Sequence, residues 1–548
     1  MIGVHGDSGI DIGPSGPTPP LMPLQAARRR LRGALVAPGG RVPSIAIIGA
    51  GLSGLCMAMQ LERAGHRDYV IYEKAEGLGG TWRDNTYPGA ACDVPSHLYS
   101  FSFARKRDWT RKFAEQAEIL AYAERCADTY GIRSHIRFSA EIATAAYDDD
   151  SGRWALTTTG GEVVQADVVV AGCGQLNRPH LPSIDGIDAF EGTAFHSARW
   201  DHSYRFDGKA VAVVGNGASA IQFVPWLAER ARSLTVYQRS ANYIIPKPDR
   251  PFRPFERALF TYAPAIERLY RWCIYWRLES RWVLFKRDGA IARWASRRFA
   301  AAVRADVVSE ELAESAVVPD YQIGCKRILI SNDYLACLRR PNVRAETSPI
   351  VGITGDAVVT ADGRVDKVDA IVFATGFEST RFLAPIEVTG TGGRLLADAW
   401  AQGAEAHLGV AVPGFPNLFL LYGPNTNLGH NSILFMVERQ VDYVLQCLTT
   451  LARRRVTAVE VRPEALAAFR RATDRSAQAT AWAGTCTSWY KTASGRITNN
   501  WPRPTFAYWA ATLRPRPSDF VEHRRRPADR QQSTEPAKTK VAVPAVSD

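Results

Sequence analysis

Ile45-Ala46-Ile47-Ile48-Gly49-Ala50-Gly51-Leu52-Ser53-Gly54 is an apolar run of strand character that breaks into GxGxxG and continues as a helical pattern. In such a loop the first glycine permits the tight turn, the second lets backbone N–H groups approach a pyrophosphate, and the third lets helix pack on strand. The next apolar run, Tyr69-Val70-Ile71-Tyr72, ends at Glu73, followed by Lys74. A carboxylate there accepts hydrogen bonds from free ribose hydroxyls. A second unit of the same grammar begins at Val211-Ala212-Val213-Val214-Gly215-Asn216-Gly217-Ala218-Ser219-Ala220. Its following strand, Leu234-Thr235-Val236-Tyr237, ends in Gln238-Arg239-Ser240, a cation where the first unit has an acid. The acidic reader suits FAD or NAD, and the basic one suits the 2′-phosphate of NADPH. Two such units, one inside the other, predict a doubly wound α/β architecture with two Rossmann-like sheets.

The length, 548 residues, exceeds what one core usually serves, so two or three domains are expected. A net charge of +12 suggests nucleic acid until it is located. Residues 1–43 and 514–548 each contribute +3 and residues 251–304 contribute +8, which leaves the rest at −2. The body is therefore near neutral, and no nucleic-acid partner is expected. The nine cysteines are scattered, odd in number and without a CxxC pair. They predict unpaired, reduced thiols in a cytoplasmic protein and speak against both a disulfide oxidoreductase and a zinc site; no metal is expected. No apolar stretch is long enough to span a bilayer. Ala27–Ala37 superficially resembles a signal sequence, but its apolar part is short before Pro38-Gly39-Gly40, and it reads as part of a flexible arm.

The expected organisation is a disordered arm over 1–42, a first nucleotide unit over 43–187, a second over 188–370, the return of the first with the substrate pocket over 371–513, and a disordered basic tail over 514–548. Within it, Val358–Ala374 reads as hairpin strands and Asn417–Tyr422 as a buried strand. An aromatic, arginine-rich helical insert occupies 251–315 and admits two readings. One is a cap whose aromatics are buried and whose arginines are solvated; the other is a basic amphipathic surface in weak contact with anionic lipid.

Two further stretches narrow the chemistry. Gly79-Gly80-Thr81-Trp82 leads through Tyr87-Pro88-Gly89-Ala90-Ala91-Cys92 to Asp93, and Phe190-Glu191-Gly192-Thr193-Ala194-Phe195-His196-Ser197-Ala198-Arg199-Trp200-Asp201 lies between the two units. Here the chain resembles the type I Baeyer–Villiger monooxygenases of the flavin-containing monooxygenase superfamily. It matches their signatures (A/G)GxWxxxx(F/Y)P(G/M)xxxD and FxGxxxHxxxW(P/D) at every defined position, the second through Phe190, Gly192, His196, Trp200 and Asp201, and the likeness runs from about Ile45 to Trp509.

The resemblance implies tightly bound FAD, reduction by NADPH, addition of O2 to give a flavin C4a-peroxide, and attack on a ketone that rearranges to an ester or lactone. A cation near the flavin would stabilise the anions of that sequence. In the family it is an arginine after a lysine, matched here by Cys325-Lys326-Arg327, with Asp93 as the carboxylate that aims it. The same resemblance gathers Gly49, Gly51, Ser53, Gly54 and Glu73 around FAD, together with Lys74, Thr81, Trp82, Asp93 and Tyr99. Around NADP it gathers Gly215, Gly217, Ala218, Ser219 and Ala220, then Gln222, Arg239, Ser240, Lys326, Arg327 and Trp501. It gives His196 a place in the inter-domain linker rather than a role in proton transfer. Ala374-Thr375-Gly376-Phe377 resembles the turn that crosses back to the first unit, and the helix after Asn431-Ser432 would point its N-terminus at the reduced flavin ring. Ala91 stands where some members carry arginine, and the Ala90–Asp93 loop and long insert look more like the 4-hydroxyacetophenone monooxygenase branch, so aryl or bulky ketones are the expected substrates. The rival reading is a related flavin monooxygenase that oxygenates soft nitrogen or sulfur.

Overall fold

Two five-stranded parallel sheets organise the chain. In the first, strands lie in the order Leu418–Leu420, Val168–Ala171, Ile45–Ile48, Tyr69–Tyr72, Ile136–Arg137. In the second, the order is Val343–Glu346, Ser233–Tyr237, Ala210–Val214, Ala370–Phe373, Thr193–His196. The computed structural model describes residues 42–524 apart from 311, 455, 485, 487 and 493. The arm expected over 1–42 lies outside the described residues except at its last position, as does the tail beyond 524.

The central strands are apolar at every position because helices cover both faces of a parallel sheet. Ile45–Ile48, Val168–Ala171 and Ala370–Phe373 are buried throughout. On the first sheet the helices Leu52–Ala64 and Ile433–Arg454 pack together in one core with Gln116–Thr129. On the second, the helix Ala220–Ala228 packs with Tyr334–Cys337 in a separate core. Each such side chain gains about 1.5–3 kcal/mol over exposure, so each sheet carries its own core.

Four expectations need correction. The strand Ala370–Phe373 belongs to the second sheet, so the boundary expected at 370/371 falls after Phe373. Only Ala357–Thr360 and Val365–Lys367 form the hairpin expected over 358–374. The tail expected to be disordered from 514 is ordered to 524, where Phe520–His523 pairs antiparallel with Ala458–Val461 and buries Phe520; four residues with one aromatic anchor gave no compositional signal. The insert forms helices Pro254–Tyr262, Pro264–Glu279 and Ala290–Asp306, and only part of its aromatic content is buried. Phe260, Tyr275 and Phe285 are in the core, whereas Phe255, Tyr262, Trp272, Trp276 and Trp294 are exposed.

Candidate active site

At the first loop Gly49 has φ +98°, and its N–H donates to the Tyr72 carbonyl at 2.8 Å. A Cβ at Gly54 would lie 1.9 Å from the Gly49 oxygen, so the helix can begin this close to the strand only with glycine there. At Gly51 the nearest atom to such a Cβ is the Gly80 Cα at 3.7 Å, ordinary contact, and the loop stays open to close approach. The helix has Gly51 as its N-cap with no side-chain cap, and Ser53 is half-buried in its first turn. Its first N–H groups are therefore free to meet phosphate oxygens. Glu73 is buried and accepts from the N–H of Ala50 at 2.7 Å and of Ala75 at 3.0 Å. A carboxylate has about four acceptor sites, so capacity for a ribose hydroxyl remains. Around this loop, Gly79 N–H donates to Ala50, Thr81 donates to Leu176, and Trp82 donates to the Tyr99 hydroxyl at 3.0 Å. Lys74 is exposed.

The second loop repeats the geometry with a different finish. Gly215 has φ +110°, and nothing lies within 4 Å of a Cβ built at Gly217. Ala220 fills the third position and is fully buried, while Ala218 is exposed and Ser219 half-buried beside it. Asn216 Nδ2 donates to Gln238 Oε1 at 2.7 Å and to the Ser240 carbonyl at 2.9 Å, fixing the turn after the strand. Lys326 Nζ donates to Ser240 Oγ at 2.5 Å and lies 4.7 Å from the centre of the Tyr321 ring. Burial and the neighbouring Arg239 guanidinium lower the Lys326 pKa. Two cations held together beside a hydroxyl have the charge and hydrogen-bonding chemistry that suits a dianion.

Between the loops, Arg327 Nε and Nη2 both donate to Asp93 Oδ2, at 2.9 and 2.6 Å. The pair is partly exposed, with side chains 28 % and 27 % accessible. The Asp93 charge raises the Arg327 pKa above its ordinary value, so the guanidinium is cationic at any working pH. Tyr490, fully buried within its influence, is pushed up to about 12 by burial, with Arg327 pulling partly back. The Tyr490 hydroxyl and Asn500 Nδ2 are buried without a partner among the described residues. The loop carrying Asp93 is clamped from the second unit: Gln222 Nε2 donates to the Ala91 carbonyl at 2.9 Å, and Tyr87 donates to Gln222 Oε1 at 3.0 Å. Gly89 is needed there, since a Cβ would meet the Gln222 carbonyl at 2.8 Å.

Gln222, expected at NADP, thus holds the Asp93 loop, and Tyr490 at Arg327 was not anticipated. Neither had a local signal, because both act across a long sequence separation. The expectation that all cysteines are unpaired is also wrong. Cys325 and Cys486, 161 residues apart, form a disulfide with Cα atoms 6.3 Å apart, tying the segment before Lys326-Arg327 to the loop before Tyr490.

Trp501, expected beside NADP, is instead 2 % exposed, donates to the Pro504 carbonyl at 3.0 Å and packs on Phe469 and Tyr508. In the linker, a Cβ at Gly192 would meet the Asp369 carbonyl and the Phe190 ring at 2.6 Å. Trp200 packs among Phe195, Phe206 and Phe223, and Asp201 accepts from Ser203. His196 is buried, accepts from the Ala198 N–H, and has its pKa lowered to about 4 by burial. It is neutral near pH 7. The helix Ile433–Arg454 is preceded by Asn431 and His430, which are held by Glu279 of the insert at 2.8 and 3.3 Å. No group of three His, Cys, Asp or Glu side chains among the described residues is arranged to hold a metal ion.

Comparison with known proteins bears on this geometry. The sequence profile of the flavin-binding monooxygenase-like family matches residues 43–263. A protein named Baeyer-Villiger monooxygenase from Pseudomonas aeruginosa is 42 % identical over 470 residues, covering 85 % of this chain and 89 % of its own. Among solved structures, an oxidized steroid monooxygenase bound to NADP superposes with a TM-score of 0.77 at 32 % identity, covering 88 % of this chain and 99 % of that one. The structure of OTEMO in complex with FAD and NADP gives 0.78 at 26 % identity, covering 86 % and 97 %.

Proposed function

The chain belongs to the Baeyer–Villiger monooxygenases, and from that premise we propose that it oxidises a ketone, aryl or bulky, to an ester or lactone at the Arg327–Asp93 pair. It is an NADPH-dependent flavoprotein monooxygenase that uses FAD. The residues present fit both groups: an open glycine and uncapped helix N-terminus at each loop, a buried carboxylate at one ribose position, and paired cations at the other. We assign FAD to the unit with Glu73 and NADPH to the unit with Arg239, Ser240 and Lys326. When bound, FAD supplies the redox chemistry that activates O2.

The chain's own contribution is electrostatic. Arg327 is held by two hydrogen bonds to one carboxylate oxygen, an orientation in which its charge can stabilise negative charge that develops on a nearby oxygen. Asp93 fixes the plane of the guanidinium, which a lysine could not reproduce. Tyr490, kept neutral by burial, stands beside that cation. His196 takes no part in proton transfer, since it is buried and neutral at the end of the edge strand Thr193–His196. Ala91 leaves the loop next to Asp93 without the extra cation some relatives carry, and Tyr422 and Tyr490 lie near enough to Arg327 to act on its charge. The uncharged Ala91 and the resemblance to the 4-hydroxyacetophenone monooxygenase branch support an aryl or bulky ketone.

The single observation that carries this reading is the bonded Arg327–Asp93 pair set between two loops of opposite ribose chemistry. Its test is product identification from a ketone panel, with aryl and alicyclic members, supplied with NADPH and O2. Esters or lactones support it. Oxygenation of amines or sulfides with no ester from any ketone would replace it with the nitrogen- and sulfur-oxygenating reading.

A further inference from the structure

The insert helix Pro264–Glu279 buries Ile274, Tyr275 and Leu278 in the core and, beside them, the carboxylates Glu267 and Glu279. Glu267 is met by Arg105 at 2.9 Å and His97 at 3.7 Å. Glu279 accepts from Asn431 and from the Thr505 N–H and hydroxyl at 2.6–2.8 Å. Its outward face carries Ile266, Leu269, Trp272 and Trp276, all exposed. An ordinary surface helix keeps its outward face polar. The apolar face continues onto the flanking helices through Phe255, Leu259 and Tyr262, the last 85 % exposed, and through Ile291 and Trp294, the latter 63 % exposed.

The charges around this face have one sign. Residues 251–304 carry twelve basic and four acidic side chains. Of the four acids, Glu267 and Glu279 point inward, Glu256 is paired with Arg250, and Asp288 alone is exposed among the described residues. Arg257, Arg277, Arg293, Arg297 and Arg298 are exposed.

We propose that this face docks the protein on the surface of an anionic lipid bilayer. Tryptophan and tyrosine favour the zone between headgroups and acyl chains, and arginines around them meet lipid phosphates. A second copy of the chain is the poorer occupant, because a two-fold contact sets the same patch against itself and brings the exposed Arg257, Arg277, Arg293, Arg297 and Arg298 of two copies together. No helix among the described residues is long and apolar enough to cross the bilayer, so the contact is peripheral and reversible.

The test uses the full FAD-loaded chain with vesicles of phosphatidylcholine alone and of phosphatidylcholine with about 30 % phosphatidylglycerol. Co-sedimentation with the mixed vesicles but not the neutral ones, weakened by salt, is expected. Leu269→Asp with Trp276→Asp, and separately Arg293→Glu with Arg297→Glu, should each weaken it at least about tenfold while leaving FAD content and NADPH oxidation unchanged. Cys273 is an exposed thiol within the apolar face, whereas the other free thiols are buried or half-buried. An environment-sensitive label on it should shift to an apolar signal on mixed vesicles, a readout that needs no folding-sensitive variant. Absence of partitioning, a label that stays in water while the protein binds, or a solution dimer that the Leu269 and Trp276 variant splits would each overturn the proposal.

Discussion

The two nucleotide units share one backbone design and differ at three side-chain positions. Each has an apolar strand, a first glycine at φ near +100°, and an open second glycine. At the third loop position the first unit requires Gly54, whereas the second buries Ala220. After the second strand the first unit places buried Glu73, and the second places exposed Arg239 with Ser240 and Lys326. Across the cleft the first unit contributes Asp93 and the second contributes Arg327 and the Gln222 clamp. On the proposed assignment a common scaffold takes two dinucleotides, and a few residues decide which goes where. The proposed reacting centre then belongs to neither unit alone.

The largest expected effect separates the loops at the third position. Gly54→Ala should abolish FAD retention, since its Cβ has no space short of moving the Gly49 carbonyl. Ala220→Gly should keep FAD and cost only about 0.5–1 kcal/mol of stability. The ratio of flavin to protein absorbance, with thermal melting, checks both, and equal flavin retention by the two variants would break the comparison.

Next in size is coenzyme choice. Arg239→Ala removes a charge-assisted contact to the 2′-phosphate, about 1.5–3 kcal/mol, so NADPH should bind roughly ten- to a hundredfold more weakly and NADH about as before. Equal loss for both coenzymes would mean that the second unit reads something other than the phosphate.

The third prediction concerns the linker. His196 has a folded pKa of about 4 against an ordinary 6.5. Above pH 6.5 neither state is charged. Between 6.5 and 4 the unfolded chain binds the proton and the folded chain does not, so stability falls as pH falls through that window. Between pH 7 and pH 5, urea midpoints should reveal a loss of about 1–2 kcal/mol that is missing in His196→Asn. An identical pH slope in that variant would remove His196 from the account.

The smallest effect is at the clamp. Gln222→Ala loses three neutral hydrogen bonds to the Asp93 loop, about 0.5–1.5 kcal/mol each, so turnover should fall several-fold with NADPH affinity little changed. A selective rise in the NADPH Kd would return Gln222 to the coenzyme site.

The same comparison explains what the sequence could show. Strand, glycine loop and ribose reader are local patterns of about 30 residues, so Glu73 and Arg239 were legible without any structure. Arg327 and Asp93 were legible only through resemblance, because 234 positions separate them and neither carries a spacing signal of its own. Tyr490, the Gln222 clamp and the Cys325–Cys486 bridge were illegible for the same reason. Trp501 was misplaced because an aromatic near a motif reads alike whether it faces a ligand or the core; here Phe469, Tyr508 and Pro504 take it into the core. Composition left two readings open for the insert, because it counts apolar residues without saying which way a helix faces.

The central claim is that Arg327, aimed by Asp93, is the cation of the reaction while FAD is held elsewhere. Arg327→Ala protein, loaded with FAD and supplied with NADPH, O2 and a ketone shown to be a substrate, measures it directly. The account predicts unchanged flavin content and a loss of ester formation of about a hundred- to a thousandfold, the scale for removing one preorganised charge from a reacting centre. Ester formed at a near-normal rate by that variant would contradict it and put the catalytic cation at another position.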